Sequence, residues 1–211
     1  MFDLNSPEAF DEVFFSSFDT SEIKNEFLNY VQLVLQYENN KRYLSKNNSN
    51  YKRIEIILSL LPNSLFIIPI REPLQHSYSL LTQHFRFSRL QRKYDFARRY
   101  MNYLGHHTFG INHIPWNKPN RYNDYKNINY WLEQWILFYK NIYENYSNYS
   151  NCKFVVYEKL NNEGIIDDLK NFVEINFSNN FKFVVSHKNI SLNYDEELYN
   201  VAKKIYLKFR N

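Results

Sequence analysis

Apolar side chains recur every three to four residues along most of this chain, which is the signature of helices that bury one stripe. In "TSEIKNEFLNYVQLVLQYE", Ile23, Phe27, Val31 and Val34 fall on one such stripe. Ahead of it, "SPEAFDEVFFSSF" offers Ser6 as an N-cap, Pro7 at the first helical position and acids in the first turn. "YKRIEIILSLLPNS" reads as a short amphipathic helix stopped by Pro62. "LQHSYSLLTQHFRFSRLQ" and "DFARRYMNYLGHH" read as two more helices. "INYWLEQWILFYKNIYENYS" is the strongest, with Trp131, Trp135, Phe138 and Ile142 at helical spacing. "IIDDLKNFVEINF" and "DEELYNVAKKIYLKF" supply the last two.

Two stretches break the period. "SLFIIPI" and "KFVVYEKL" are continuous apolar runs of strand length. Such runs suit strands buried on both faces of a parallel sheet. Pro69 cannot donate to a ladder, so it must lie near the strand end or face away from a partner. "KRYLSKNNSNYKR" reads as a short strand followed by a loop, and "TFGINHIPWNKPNRYNDYKN" as a long irregular loop. Strands separated by helical crossovers imply an α/β fold with a parallel sheet, here helix-rich. The expectation is one domain over residues 1–211, with few strands for so many helices.

Composition narrows this picture. The chain has 211 residues, 44% hydrophobic and 19% aromatic, far too apolar for a disordered segment. Its 19 Tyr and many Asn match what AT-rich codons specify, which discounts single Tyr and Asn residues as functional signals. A net charge of +4 fits an anionic ligand and does not call for nucleic acid. One cysteine, Cys152, gives no disulfide framework, redox pair or zinc pattern. No apolar run approaches the ~20 residues that span a bilayer, and the acidic N-terminus is unlike a signal peptide. A cytoplasmic protein is expected. Only 3 Gly occur, and none belongs to a GxGxxG or GxxxxGK[ST] phosphate loop.

Candidate chemistry centres on Arg71, which stands where "SLFIIPI" ends and "PLQHSYSLL" opens a helix. Ligands of open α/β sheets bind beyond the carboxyl ends of strands. A helix N-terminus attracts anions, and Arg offers a fork of donors suited to phosphate or sulfate. Ser77 and Ser79 lie about two turns into that helix, where a hydroxyl can reach an oxyanion over the corner. The competing reading is an Arg paired with Glu72 or water, and serines on a polar face. Candidate bases near neutrality are His84, His106, His107 and His113, with His107 and His113 favoured over loop histidines satisfied by backbone. Arg86, Arg89 and Lys93 line one helical face, read either as solvated or as attracting an anionic acceptor. Trp131 and Trp135 read as core, and Glu158 as a cap or structural partner.

"FIIPIREPLQHSYSLLTQHFRF" resembles the segment of the sulfotransferase superfamily that binds the 3′-phosphate of 3′-phosphoadenosine 5′-phosphosulfate (PAPS). That family has a strand, an Arg, a Pro two residues on and a Ser eight after the Arg, as Arg71, Pro73 and Ser79 stand here. "YLSKNNSNYKRIEIILSLLPNSLF" resembles the family's element with a Lys at a strand end, which would place Lys46 near the transferring sulfuryl group. "KFVVYEKL" resembles the later strand ending in Tyr-Glu, which would put Tyr157 beside the adenine. "NINYWLEQWILFYKNI", "LGHHTFG" and "EELYNVAKKIYLKF" are similar to the helix after the substrate loop, an acceptor-side loop and the terminal helix of bacterial members.

The resemblance runs from about Pro7 to Phe209 and implies a P-loop-NTPase-like parallel sheet flanked by helices. The chain departs from the family in three places. It carries no first strand with a Gly/Lys/Ser-Thr loop for the 5′-phosphosulfate, so the fold is expected to be N-terminally truncated. Asn48 stands where many members have a His base. No basic-Gly element near the C-terminus matches the one that closes over the 3′-phosphate in some branches. Two functions follow as expectations. One is sulfuryl transfer from PAPS to a hydroxyl or amine acceptor, such as an anionic acceptor or a carbohydrate. The other is an inactive sulfotransferase-like domain serving as a binding or structural module.

Overall fold

The computed structural model describes Glu12, Phe15 and residues 22–35, 42–175 and 182–210. The helix expected over residues 6–18 therefore lies outside the described residues, except for Glu12 and Phe15, which are helical. The chain divides into two compact units: residues 1–64 with 90–107, and residues 65–89 with 108–211.

In the first unit, α1 (Glu22–Leu35) buries Ile23, Phe27 and Val31, while Val34 at the end of the expected stripe is 47% exposed. Phe27 meets the Tyr43 ring edge-on at 6.4 Å. The short strand expected near Tyr43 does not form; residues 42–47 are coil and Leu44 is 92% exposed. A short stretch with no neighbouring strand has no ladder to join. Asn47 then accepts the Ser49 N–H (2.8 Å) and starts a 3-10 turn over Asn48–Lys52. That turn leads into α2 (Ile54–Leu60), which ends before Pro62 as its sequence implied. Arg53 at the start of α2 pairs with Glu12 (2.7 Å) and stacks over the Phe15 ring.

In the second unit, β1 (Phe66–Ile70) and β2 (Cys152–Val156) form a two-stranded parallel sheet, in register from Phe66↔Cys152 to Ile70↔Val156. Among the described residues these are the strands; the remainder is helix and loop. The chain is thus helix-rich with a small parallel sheet, in keeping with an α/β class.

β1 is not buried on both faces: Ile67 is 49% exposed and Pro69 is exposed too. The ladder geometry explains where Pro69 fits. The Phe66 N–H donates to the Asn151 carbonyl (2.7 Å), so the two-residue period turns residues 66, 68 and 70 toward β2 and residues 67 and 69 away. Pro69 therefore sits on the free edge, where a missing N–H breaks no ladder bond. Its carbonyl is taken by the Tyr139 hydroxyl at 2.8 Å.

The helices are α3 (Pro73–Lys93), α4 (Asp95–Tyr103), α5 (Ile128–Tyr146), α6 (Glu163–Val173) and α7 (Glu196–Lys208). α4 belongs to the first unit and α5, α6 and α7 to the second, while α3 passes from the second into the first at Leu90. In the second unit α5 packs against α7, and Ile70, Leu132, Trp135, Tyr139, Val156 and Ile205 share one apolar core. Trp131 and Trp135 are fully buried, as the helical spacing implied. The irregular loop before α5 is fixed by two buried side chains of that helix. Glu133 accepts the N–H groups of Asn120, Arg121 and Tyr122 (3.3, 3.0 and 3.1 Å). Gln134 exchanges two hydrogen bonds with the Asn117 backbone (3.0 and 2.9 Å). No helix among the described residues is long and apolar enough to cross a membrane.

Candidate functional site

Because the two strands are parallel and in register, they end level, and the residues that follow them leave side by side. After Ile70 comes Arg71, and after Val156 comes Tyr157. The Arg71 guanidinium lies over the Tyr157 ring, 4.9 Å from its centre. This is a cation–π contact that holds the Arg flat at the carboxyl end of the sheet.

The next residue of each strand is a glutamate, and both are structural. Glu158 accepts the Glu72 N–H (2.9 Å) and the Tyr206 hydroxyl (2.7 Å). Glu72 accepts the Gln75 N–H (2.7 Å) and the Tyr199 hydroxyl (2.9 Å). Burial, with the bond to Glu72, pushes Tyr199 up to about 12, and burial with the bond to Glu158 raises Tyr206 as well. Both phenols therefore stay protonated donors at neutral pH. At the N-terminus of α3 the Gln75 N–H is already taken by the chain's own Glu72 carboxylate, so it is not open to an anion over this corner, where the Arg71 and Ser79 side chains supply donors.

α3 adds the wall of a cavity. His76, Ser79, Leu80 and Gln83 fall on one helical face and line, with Arg71 and Tyr157, a space of about 280 Å³ that Phe109 and the end of β1 complete. Ser77 points elsewhere: it is fully buried and donates to the Pro73 carbonyl at 2.7 Å. His76 and Gln83 did not figure among the sequence-based candidates. The signal for them was the helical spacing from Ser79, since positions three and four away share its face. The His76 Nδ1 and the Arg71 Nε are both shielded from solvent and without a hydrogen-bond partner among the described residues. Burial, then the neighbouring Arg71 charge, pushes the His76 imidazole down to about 4, so it is neutral at pH 7.

An extended strap, residues 182–190, runs past the same corner. Its backbone is held by side chains instead of a ladder. Asn161 exchanges two bonds with the Phe183 backbone (2.9 Å each), and Gln75 does the same with Lys188 (2.9 and 2.8 Å). Between these clamps, the Tyr157 hydroxyl donates to the Val184 carbonyl (2.7 Å) and accepts the Ser186 N–H (3.2 Å). Arg71 Nη2 donates to the Ser186 carbonyl at 2.7 Å.

The other candidates are not among the residues that line this cavity. His113 is in the second unit, among the rings of His84, Tyr125, Tyr130 and Trp131. Its Nδ1 meets the Thr108 carbonyl (2.7 Å) and its Nε2 the Tyr130 hydroxyl (2.6 Å). A carbonyl can only accept, so the Nδ1 carries the proton and the Nε2 receives the phenol's. Both nitrogens are thus engaged in holding the loop onto α5, which is a structural arrangement rather than that of a waiting base. His84 is buried in the same cluster, with Nε2 near the Ser88 hydroxyl (3.4 Å). Lys46, His106 and His107 belong to the first unit. Lys46 is exposed on coil, His106 is exposed, and His107 is half-buried just beyond the end of α4. Arg86, Arg89 and Lys93 are exposed on α3.

No family model matches the chain, and no curated protein and no solved structure matches it at a significant level. The functional reading therefore rests on the residues and their geometry.

Proposed function

We propose that this chain is a sulfotransferase-type domain on a P-loop-NTPase-like framework, and that the cavity at the carboxyl end of β1 and β2 receives the 3′-phosphoadenosine part of PAPS. One observation supports this most. Arg71, Ser79 and Tyr157, which the sequence resemblance assigns to one nucleotide, line one cavity, although Tyr157 lies far along the chain from the other two. Arg71 and Ser79 would hold the 3′-phosphate and Tyr157 the adenine face. The Arg71 guanidinium, a fork of donors lining the cavity, fits an oxyanion.

In the full reaction an SO3 group leaves the phosphosulfate and bonds to an acceptor oxygen or nitrogen, while the acceptor proton passes to a base. Lys46 is the residue proposed for the sulfuryl side. His107 stays the candidate base, given that both His113 nitrogens are taken. A hydroxyl or amine acceptor, a carbohydrate included, is the substrate class.

A second reading, a binding or structural module without transfer, is favoured by the strap. Arg71 and Tyr157 already bond its carbonyls, and about 280 Å³ lies just below the ~300–1,000 Å³ of ordinary ligand sites.

Calorimetry with 3′-phosphoadenosine 5′-phosphate tests the nucleotide site. Binding is expected in the wild type and in Arg86→Ala, and a loss of at least about tenfold in Arg71→Ala, since hydrogen bonds to charged groups are worth about 1.5–3 kcal/mol. No binding by the wild type would overturn the reading. Binding without sulfuryl transfer to any acceptor would favour the module.

A further inference from the structure

We propose that anion binding in this cavity is coupled to protonation of His76, which joins Arg71 as a second, conditional cation on the same ligand. The inference rests on reading the cavity as an anion site and adds a residue that the reading does not contain. His76 and Arg71 line the same cavity, and each carries a solvent-shielded ring or guanidinium nitrogen with no partner among the described residues. Two nitrogen-bearing side chains lining one cavity suit a ligand rich in acceptor oxygens.

The groups around His76 set its charge. Arg71 approaches from the β1–α3 corner and repels a second cation. From α5 comes the Tyr139 ring, 6.1 Å away, its phenol kept neutral by burial. From the end of β2 comes Tyr157, its hydroxyl held by the strap. The nearby carboxylates Glu72 and Glu158 are taken up by Tyr199, Tyr206 and backbone N–H groups. Burial, then the Arg71 charge, therefore keeps His76 neutral at pH 7. An entering oxyanion offsets the Arg71 charge and attracts a proton to the imidazole. By linkage, binding takes up a proton in the window between the ligand-free midpoint of about 4 and the raised midpoint of the complex. Within that window affinity rises as pH falls, by at most about tenfold per unit, so protons are counted there.

Sulfate is the cleaner probe, because it stays a dianion throughout and brings no proton of its own. Ring-proton NMR follows the 6 histidines, with His76 assigned through its backbone. Saturating sulfate is expected to raise the His76 midpoint by about one unit or more and to leave His106 unchanged. In parallel, calorimetry with 3′-phosphoadenosine 5′-phosphate in buffers of different ionisation enthalpy counts protons. Wild type is expected to take up more than His76→Gln, a difference that cancels the ligand's own titration. An unmoved His76 midpoint with equal uptake in both proteins would overturn the coupling while leaving the nucleotide site standing. A His76 shift with sulfate but no nucleotide binding would support the coupling and sink the nucleotide reading. If His76→Gln fails to fold, the wild-type midpoint alone decides.

Discussion

Ser77 and Ser79 stand two residues apart on α3 and meet opposite fates, because a helix turns residues at that spacing to different sides. Ser77 faces inward and returns its hydroxyl to the Pro73 carbonyl; Ser79 faces the cavity with Arg71. A back-bonded serine contributes little to helix stability. Ser77→Ala is therefore expected to change stability by less than about 1 kcal/mol and to leave nucleotide affinity intact. Ser79→Ala is expected to weaken 3′-phosphoadenosine 5′-phosphate binding several-fold, the worth of one hydrogen bond of about 1 kcal/mol, with an unchanged melting temperature. Calorimetry and thermal melts on both variants check the pair. The reverse pattern, affinity lost at Ser77 and kept at Ser79, would reassign the site.

At the scale of elements, helix ends are as telling as helix faces. α4 stops at a glycine in the left-handed region: Gly105 has φ of 68°. Its N–H bonds the Asn102 carbonyl (3.1 Å), and the His106 N–H bonds the Met101 carbonyl (2.8 Å). This pair of bonds is the Schellman closure, for which glycine is the favoured residue. A Cβ at Gly105 would also lie 2.9 Å from the Glu12 side chain. Gly105→Ala is expected to cost about 1–2 kcal/mol, read as a lower urea midpoint with an unchanged slope. An unaffected midpoint would mean that α4 does not depend on this cap. Where one stripe is buried, the pattern was readable in advance: α5 carries its tryptophans inward as the spacing implies. The apolar run of β1 was misleading, because a run of one composition does not say which face a neighbour covers. The meeting of Arg71 with Tyr157 needed the strand register, which only the folded chain fixes. His76 was within reach of helical periodicity, whereas the strap has no periodicity to read, its bonds being made by distant Asn, Gln, Tyr and Arg side chains.

At the scale of the molecule, the second unit depends on residues that tie several elements at once, and Asp195 is one of them. It caps α7 by accepting the Leu198 N–H (3.0 Å), accepts the Tyr122 hydroxyl (2.6 Å) and pairs with Arg121 (3.0 Å). Its own N–H donates to the Asn129 side chain on α5 (2.8 Å). One residue thus fastens the loop, through its carboxylate, and α5, through its backbone N–H, onto the terminal helix. The Tyr122 bond first, then the Leu198 N–H and the Arg121 charge, hold its carboxyl below the ordinary value of 3.8. In that range the unfolded chain binds more protons than the native one, so stability rises with pH. The contribution is complete above the unfolded value and fades as pH falls through the lower native value. Asp195→Ala is expected to lose about 1–3 kcal/mol above pH 5, from the cap and the hydroxyl bond. The gap from wild type should narrow as pH falls below the ordinary value of 3.8 toward the lower native value. Urea midpoints at pH 6, 4.5 and 3 measure it. A gap that stays constant across that range would show that the charge of Asp195 contributes nothing, and that its role is confined to the shape of the cap.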